Sequence, residues 1–180
     1  MNELIEEVFI DAWTINDIIS CYRDKKSDYP DLFQIVSGYD LSKPTNKIPF
    51  KVYVELCSWI EKKLGQFNLI KIGRKIGEST YKLMVETNMV NTESKPLDVM
   101  NALVLLAQKG VKDPKRRGWE IVSHTDQSIQ MRKTQLFNTH IQVGLLDTLI
   151  RKCKVYGVQV KLVKEQSNGF DYDEYLITWL

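Results

Sequence analysis

Two alternating runs near the end of the chain constrain its architecture more than any other feature. Val158, Val160 and Leu162 alternate with Gln159 and Lys161, and Tyr175, Ile177 and Trp179 alternate with Glu174 and Thr178. Successive side chains of a strand point to opposite faces, so this period means one buried face and one wet face. The polar Ser167-Asn168-Gly169 between the runs makes them an antiparallel hairpin. A hairpin with one apolar face has to be covered, and the sequence before it supplies mostly helices to do so.

Leu4 to Ile10 reads as a short strand, and Thr14-Ile15-Asn16-Asp17 as a cap opening a helix toward Tyr22. Asp28-Tyr29-Pro30-Asp31 breaks the chain, a short helix is expected over Asp31–Ser37, and a loop with Pro44 and Pro49 follows. From Pro49 the spacing turns helical: Phe50, Tyr53, Cys57, Ile60 and Leu64 share one face and Gly65 ends it. A second helix runs from Asn68 to about Glu86, with Leu69, Ile72, Ile76, Thr80, Leu83 and Met84 inward. Gly73 and Gly77 lie on that same face, four residues apart. Glycine inside a helix costs about 1 kcal/mol against alanine, so these two imply close approach of a neighbouring element or of a ligand.

Pro96 opens a third helix through Lys109, apolar nearly all round (Leu97, Val99, Met100, Leu103, Val104, Leu106). A helix of that kind is buried or lines something greasy. Trp119 to Arg132 reads as a first hairpin turning near Thr125-Asp126. A helix from about Asn138 to Lys154, with Ile141, Leu145, Leu149, Ile150 and Cys153 inward, separates it from the closing hairpin. The class is therefore α+β: an N-terminal helical layer packed on a mostly antiparallel sheet of two hairpins separated by a helix. Residues 49–180 form the domain, with residues 1–48 an N-terminal extension packed on it.

At 180 residues the chain is long enough for one domain that needs no disulfide or metal staple. With 43% hydrophobic and 27% charged residues it is not a disordered chain. A net charge of +2 gives no field for nucleic acid, and the basic run Lys112 to Arg117 reads as a solvated loop around Pro114. Cys21, Cys57 and Cys153, odd in number and set in apolar runs, are expected to be reduced, buried thiols of a cytoplasmic protein. The acidic start MNELIEEVFI is not a signal peptide, and the longest apolar run, Ala102 to Ala107, is far short of the roughly 20 residues of a membrane span.

Candidates for chemistry are few. His124 near a hairpin turn and His140 near a helix start are read as partly exposed polar residues. Asp171, Asp173 and Glu174 beside a turn are read as a solvated acidic edge rather than an acid–base pair. Ile72-Gly73-Arg74-Lys75-Ile76-Gly77 lies inside a helix and is not a nucleotide cradle. No metal site and no catalytic constellation is expected, so the chain is read as a non-enzyme.

This order of elements resembles a superfamily that includes the H-NOX haem domains, the 4-vinyl-reductase-type small-molecule-binding domains and the TRAPP tethering subunits. The resemblance runs from Pro49 to Leu180. It is carried by the Ile72–Gly77 helix, the Leu97–Lys109 helix, the Trp119–Arg132 hairpin, the helix Thr139-His-Ile-Gln-Val-Gly-Leu-Leu, and the ending Tyr175-Leu-Ile-Thr-Trp179. A family of myxobacterial proteins of similar length looks alike in the glycine-bearing helix and the Tyr-x-Ile-x-Trp ending. In H-NOX domains the resemblance implies a haem held by a histidine on the helix matching Leu97–Lys109, which has none here. Of the motif that grips the haem propionates, falling on Ser128-Ile129-Gln130-Met131-Arg132, only Arg132 matches. Haem is therefore disfavoured. The 4-vinyl-reductase type often carries cysteines in its last hairpin, and Glu165 to Phe170 has none.

The resemblance still implies a pocket between helical layer and sheet, walled by Ile72, Gly73, Ile76, Gly77, Met100, Leu103, Val104, Leu145 and Leu149, with Val160 and Ile177 from the sheet. The first expectation is a cytoplasmic sensor domain that holds a small apolar ligand there and signals through a protein partner. The second is a dimeric interaction adaptor with a filled core, and the third a haem-based gas sensor using His124 or His140.

Overall fold

The computed structural model describes residues 8–180, so residues 4–7 of the expected first strand lie outside the described residues. Strand β1 (Phe9–Asp11) runs directly into helix α1 (Ala12–Ser20). The helix thus begins before Thr14, which is buried within it, and Asp11 stands at its N-cap. No side chain caps it. The Ala12 and Trp13 amides donate instead to the Asn46 and Pro44 carbonyls, at 2.8 and 3.1 Å, so a distant loop serves the orphan donors.

Helix α2 (Pro30–Gln34) is shorter than expected and starts on its proline. Strand β2 (Lys47–Pro49) leads into α3 (Phe50–Leu64), which ends at Gly65 with φ 82°. Then come α4 (Gln66–Glu86), α5 (Pro96–Gly110), β3 (Val111–Lys112), β4 (Trp119–Thr125) and β5 (Ser128–Lys133). Helix α6 (Thr139–Arg151), β6 (Gln159–Lys164) and β7 (Asp173–Thr178) complete the order. Asn138 caps α6 by accepting from the His140 and Ile141 amides at 3.0 and 3.2 Å.

The two hairpins pair through β5 and β7 into one antiparallel sheet of order β4-β5-β7-β6. Ile129 faces Ile177 and Met131 faces Tyr175 across the central pair, and Val160 and Leu162 continue those rows on β6. These side chains form the apolar face expected from the period, with Ile129, Met131, Tyr175 and Ile177 at most 1% exposed. Helix α6 lies on this face, α4 packs on α6, α1 and α3 pack on α4, and α5 sits beside α6 and β4. A second small sheet, β2-β1-β3, was not visible in the sequence; β1 is its middle strand.

Three sequence readings change. Helix α5 is one-sided rather than buried all round: Asn101, Leu105 and Gln108 face solvent, and Leu105 is 54% exposed. Only Cys57 is a buried thiol, pushed up to about 12 by desolvation; Cys153 is half-buried and Cys21 exposed. The acidic edge is not solvated beyond Asp171. Asp173 is buried against Lys133, Oδ2 to Nζ 2.8 Å, the two side chains 2% and 1% exposed. Glu174 is buried against Arg132 and Lys164 and accepts from Gln130 at 2.9 Å. Burial raises its carboxyl, but those hydrogen bonds and the Lys164 charge outweigh it, and it sits below the usual carboxylate range. The cations that pair with both acids come from β5 and β6, out of reach of any local reading.

Candidate functional site

Helices α4 and α6 meet along a glycine seam. A Cβ added at Gly73 would stand 2.0 Å from the Ile141 carbonyl oxygen, and one added at Gly144 would stand 2.1 Å from the Ile70 carbonyl oxygen. One at Gly77 would meet the Thr148 Cβ at 2.7 Å. The space left by Gly73 and Gly77 is therefore filled by α6, and close approach of a neighbouring element is what these glycines serve.

Beside the seam lies a cavity of about 190 Å³. Ile76, Thr80 and Leu83 of α4 and Ile141, Gln142 and Leu145 of α6 form one side. Leu103, Leu106 and Ala107 of α5, Trp119 of β4 and Tyr53 of α3 form another. Ile10 and Trp13 close it from β1 and α1, and Gln135 and Phe137 from the β5–α6 loop. Thr14 of α1 is buried on the same wall, and Asp11, Lys109, Gly110 and Val111, all at least partly in solvent, complete it on the side that opens to the surface. Among the expected residues, Ile76, Leu103 and Leu145 line the cavity. Ile72, Met100 and Leu149 are buried in the core away from it, Val104 is half-buried beside the core, and Val160 and Ile177 belong to the sheet face.

Several wall residues escaped the sequence reading because they come from a loop and from strands of two or three residues. Tyr53 was placed on the inner face of its helix, yet its role depends on a residue far along the chain. It is fully buried, its ring packs at 5.1 Å on Phe50 and Phe137, and its hydroxyl accepts from the Asn138 amide at 3.0 Å. Desolvation holds this phenol neutral, well above its ordinary range. The β5–α6 loop is fixed from the other end by Lys133, whose ammonium donates to the Phe137 carbonyl as well as pairing with Asp173. Burial pulls the Lys133 pKa down against the pull of Asp173. Gln135 in the same loop is 2% exposed; its Nε2 donates to the Ala107 carbonyl at 3.2 Å. Its Oε1 is buried without a partner among the described residues.

No family model matches the chain, and no curated protein matches it in sequence. Solved structures match it in fold. An H-NOX protein from S. oneidensis in the Fe(II)NO ligation state superposes with a TM-score of 0.74 at 13% identity, over 95% of this chain and 99% of that one. The Fe(II) unliganded H-NOX protein from K. algicida gives 0.65 at 12% identity, over 95% and 97%. A structure from work probing heme distortion in the H-NOX family gives 0.67 at 13%, over 94% and 95%. The chain has the H-NOX-like fold.

The residues here do not fit a haem. Among the described residues, no histidine, cysteine or methionine lines the cavity, and α5 presents Leu103, Leu106 and Ala107 to it. His124 is exposed near the β4–β5 turn, and His140 is half-buried in the first turn of α6, outside the wall. Tyr53 lines the cavity, but as a phenol held neutral and already accepting from Asn138 it is no axial ligand. Arg132 is engaged on the far face of the sheet, bonded to Glu120 at 2.7 Å and Glu174 at 3.3 Å and stacked over Tyr172 at 4.1 Å. The volume also falls below the roughly 300 Å³ at which pockets begin to hold drug-sized ligands, most of them smaller than haem. Among the described residues, no three His, Cys, Asp or Glu side chains converge to hold a metal ion, and no helix is long and apolar enough to cross a membrane.

Proposed function

We propose that this chain is a haem-independent small-molecule-binding domain, working in the cytoplasm as a sensor rather than as an enzyme and signalling through a protein partner. The observation that carries the reading is the mainly apolar cavity of about 190 Å³, bounded by helices, strands and the β5–α6 loop. A partly open, mainly apolar recess reaching from the surface to buried Tyr53, Ile76 and Ile141 has the shape of a small-ligand pocket. The neighbours whose descriptions speak of iron and heme support a fold able to house a ligand.

The test is native mass spectrometry on freshly purified protein, with an absorption spectrum of the same sample. A mass excess that is lost on denaturation, without a Soret band, is the expected result. A Soret band overturns the haem-free reading. A colourless protein at its bare sequence mass, which also gains no mass from added small aromatic molecules, moves the function to the dimeric adaptor.

A further inference from the structure

The glycine seam is also bordered by a polar groove. Where the α4 and α6 backbones touch, a Cβ on Gly144 would stand 2.8 Å from the Arg74 amide nitrogen. Residues just outside that contact face one another across about 570 Å³: Arg74, Lys75 and Glu78 of α4, and Asp147, Arg151 and Lys152 of α6. Buried Asp147 serves two arginines at once. Its Oδ2 accepts from Arg74 Nε at 3.1 Å and its Oδ1 from Arg151 Nε at 2.9 Å. Each guanidinium is thus held by its inner nitrogen. Arg151 Nη2 donates to the Val158 carbonyl at 3.3 Å, while both Nη atoms of Arg74 and Nη1 of Arg151 make no hydrogen bond among the described residues. The two side chains are 51% and 52% exposed, which leaves these spare donors open to an incoming group.

Exposed ion pairs add little to stability, so stability does not account for two long side chains ordered on one carboxylate. Lys152 is matched by Glu78 at 2.5 Å, and four cations against two carboxylates leave the groove two positive charges in excess. A planar fork held in place can offer two N–H donors to phosphate oxygens together. We propose that this groove binds the dianionic phosphate group of a small monoester between Arg74 and Arg151, with Asp147 as the residue that positions both. The excess charge matches that of the dianion. Among the described residues no aromatic side chain lines the groove, so the body of the ester is polar, a glycerol or sugar rather than a base. The groove shares no wall residue with the apolar cavity, and the proposal stands whether or not that cavity is filled.

Methyl phosphate and dimethyl phosphate differ by one methyl group and one charge. With a second pKa of about 6, the monoester is a dianion at about pH 8. Each is titrated into the intact chain in about 0.1 M salt and followed through the arginine Nε–H resonances. Methyl phosphate should bind about tenfold more tightly and shift the Arg74 and Arg151 signals. Glycerol 3-phosphate should bind more tightly still; inorganic phosphate binding as tightly as glycerol 3-phosphate would overturn the ester. Asp147→Asn separates a pinned site from a diffuse positive field. A field alone gains when a negative charge is removed, whereas loss of the shared anchor should weaken methyl phosphate about tenfold, with the melting temperature recorded to establish folding. Tighter binding to Asp147→Asn, equal affinity for the two methyl esters, or no binding of either to the unaltered chain overturns the proposal. The comparison of esters needs no variant, so misfolding of Asp147→Asn does not shield the idea.

Discussion

The same two helices, α4 and α6, are packed in opposite ways along their length. At Gly73, Gly77 and Gly144 the backbones touch, and no methyl group can be added without striking a carbonyl or a threonine. Close by, where Ile76 and Thr80 face Ile141 and Leu145, a cavity opens. The lesson runs against intuition: removing side chains did not make room for a ligand. Glycine let the helices close until nothing was left between them. The void sits where large side chains from several elements, Trp119, Phe137, Leu103 and Leu145 among them, hold those elements apart without filling the space.

That contrast is open to direct attack. The largest effect is expected for Gly73→Leu. The atoms struck belong to the Ile141 backbone, which cannot rotate away, so loss exceeds the usual roughly 1–3 kcal/mol of overpacking. Set against a total stability of about 5–15 kcal/mol, the urea transition should lose its cooperativity. An unchanged midpoint would place that face elsewhere. Next is Lys133→Met, which leaves Asp173 buried and uncompensated; the expected loss is about 3–5 kcal/mol by denaturant unfolding, with the β5–α6 wall loop loosened. Gly77→Ala comes third. Its Cβ would stand 2.7 Å from the Thr148 Cβ and 3.1 Å from the Leu145 carbonyl oxygen, so the helices must shift; the roughly 1 kcal/mol gain in helix propensity offsets part of the clash, leaving a net loss of about 1–2 kcal/mol by denaturant unfolding. Smallest is Ala107→Leu, which adds three carbons on the cavity side. It should stay within about 1 kcal/mol of the unaltered chain or gain stability by filling the space, while the mass excess expected in native mass spectrometry disappears. A penalty as large as that of Gly73→Leu would mean the space is not there.

What was legible in the sequence follows from where each signal resides. The hairpins and the four long helices announced themselves, because period and capping residues are local properties. A strand was expected over Leu4–Ile10 and β1 takes its end, but β2 and β3, of three and two residues, are too short to carry a period, and their pairing with β1 spans long stretches of chain. Gly73 and Gly77 pointed to a close contact, and Gly144, the partner's contribution to the same seam, went unnoticed as a lone glycine in a helix. Asp173 and Glu174 looked solvated because acids beside a turn usually are; the cations that bury them sit on other strands. The resemblance implied a pocket between helices and sheet, whereas the cavity lies among the helices and beside the small sheet; of the residues expected there, Ile76, Leu103 and Leu145 line it. Gln135 and Phe137 stayed hidden because a loop has no face until the fold supplies one.

The strand at Phe9–Asp11 has a consequence for the order in which the molecule comes together. Its two edges are claimed by residues 47–49 and 111–112, so its ladder can be finished only by chain emerging about a hundred residues later. Ile10 belongs both to that ladder and to the cavity wall. A nascent chain stalled before residue 111 therefore holds one of the strand's two pairings and an open-sided chamber. Loop closure on this scale is an entropic toll collected before any contact repays it, which sets this corner among the last to consolidate. A molecule that settles in the chamber would then act as a late clamp on folding, and its supply during synthesis would bear on how much finished protein a cell retains.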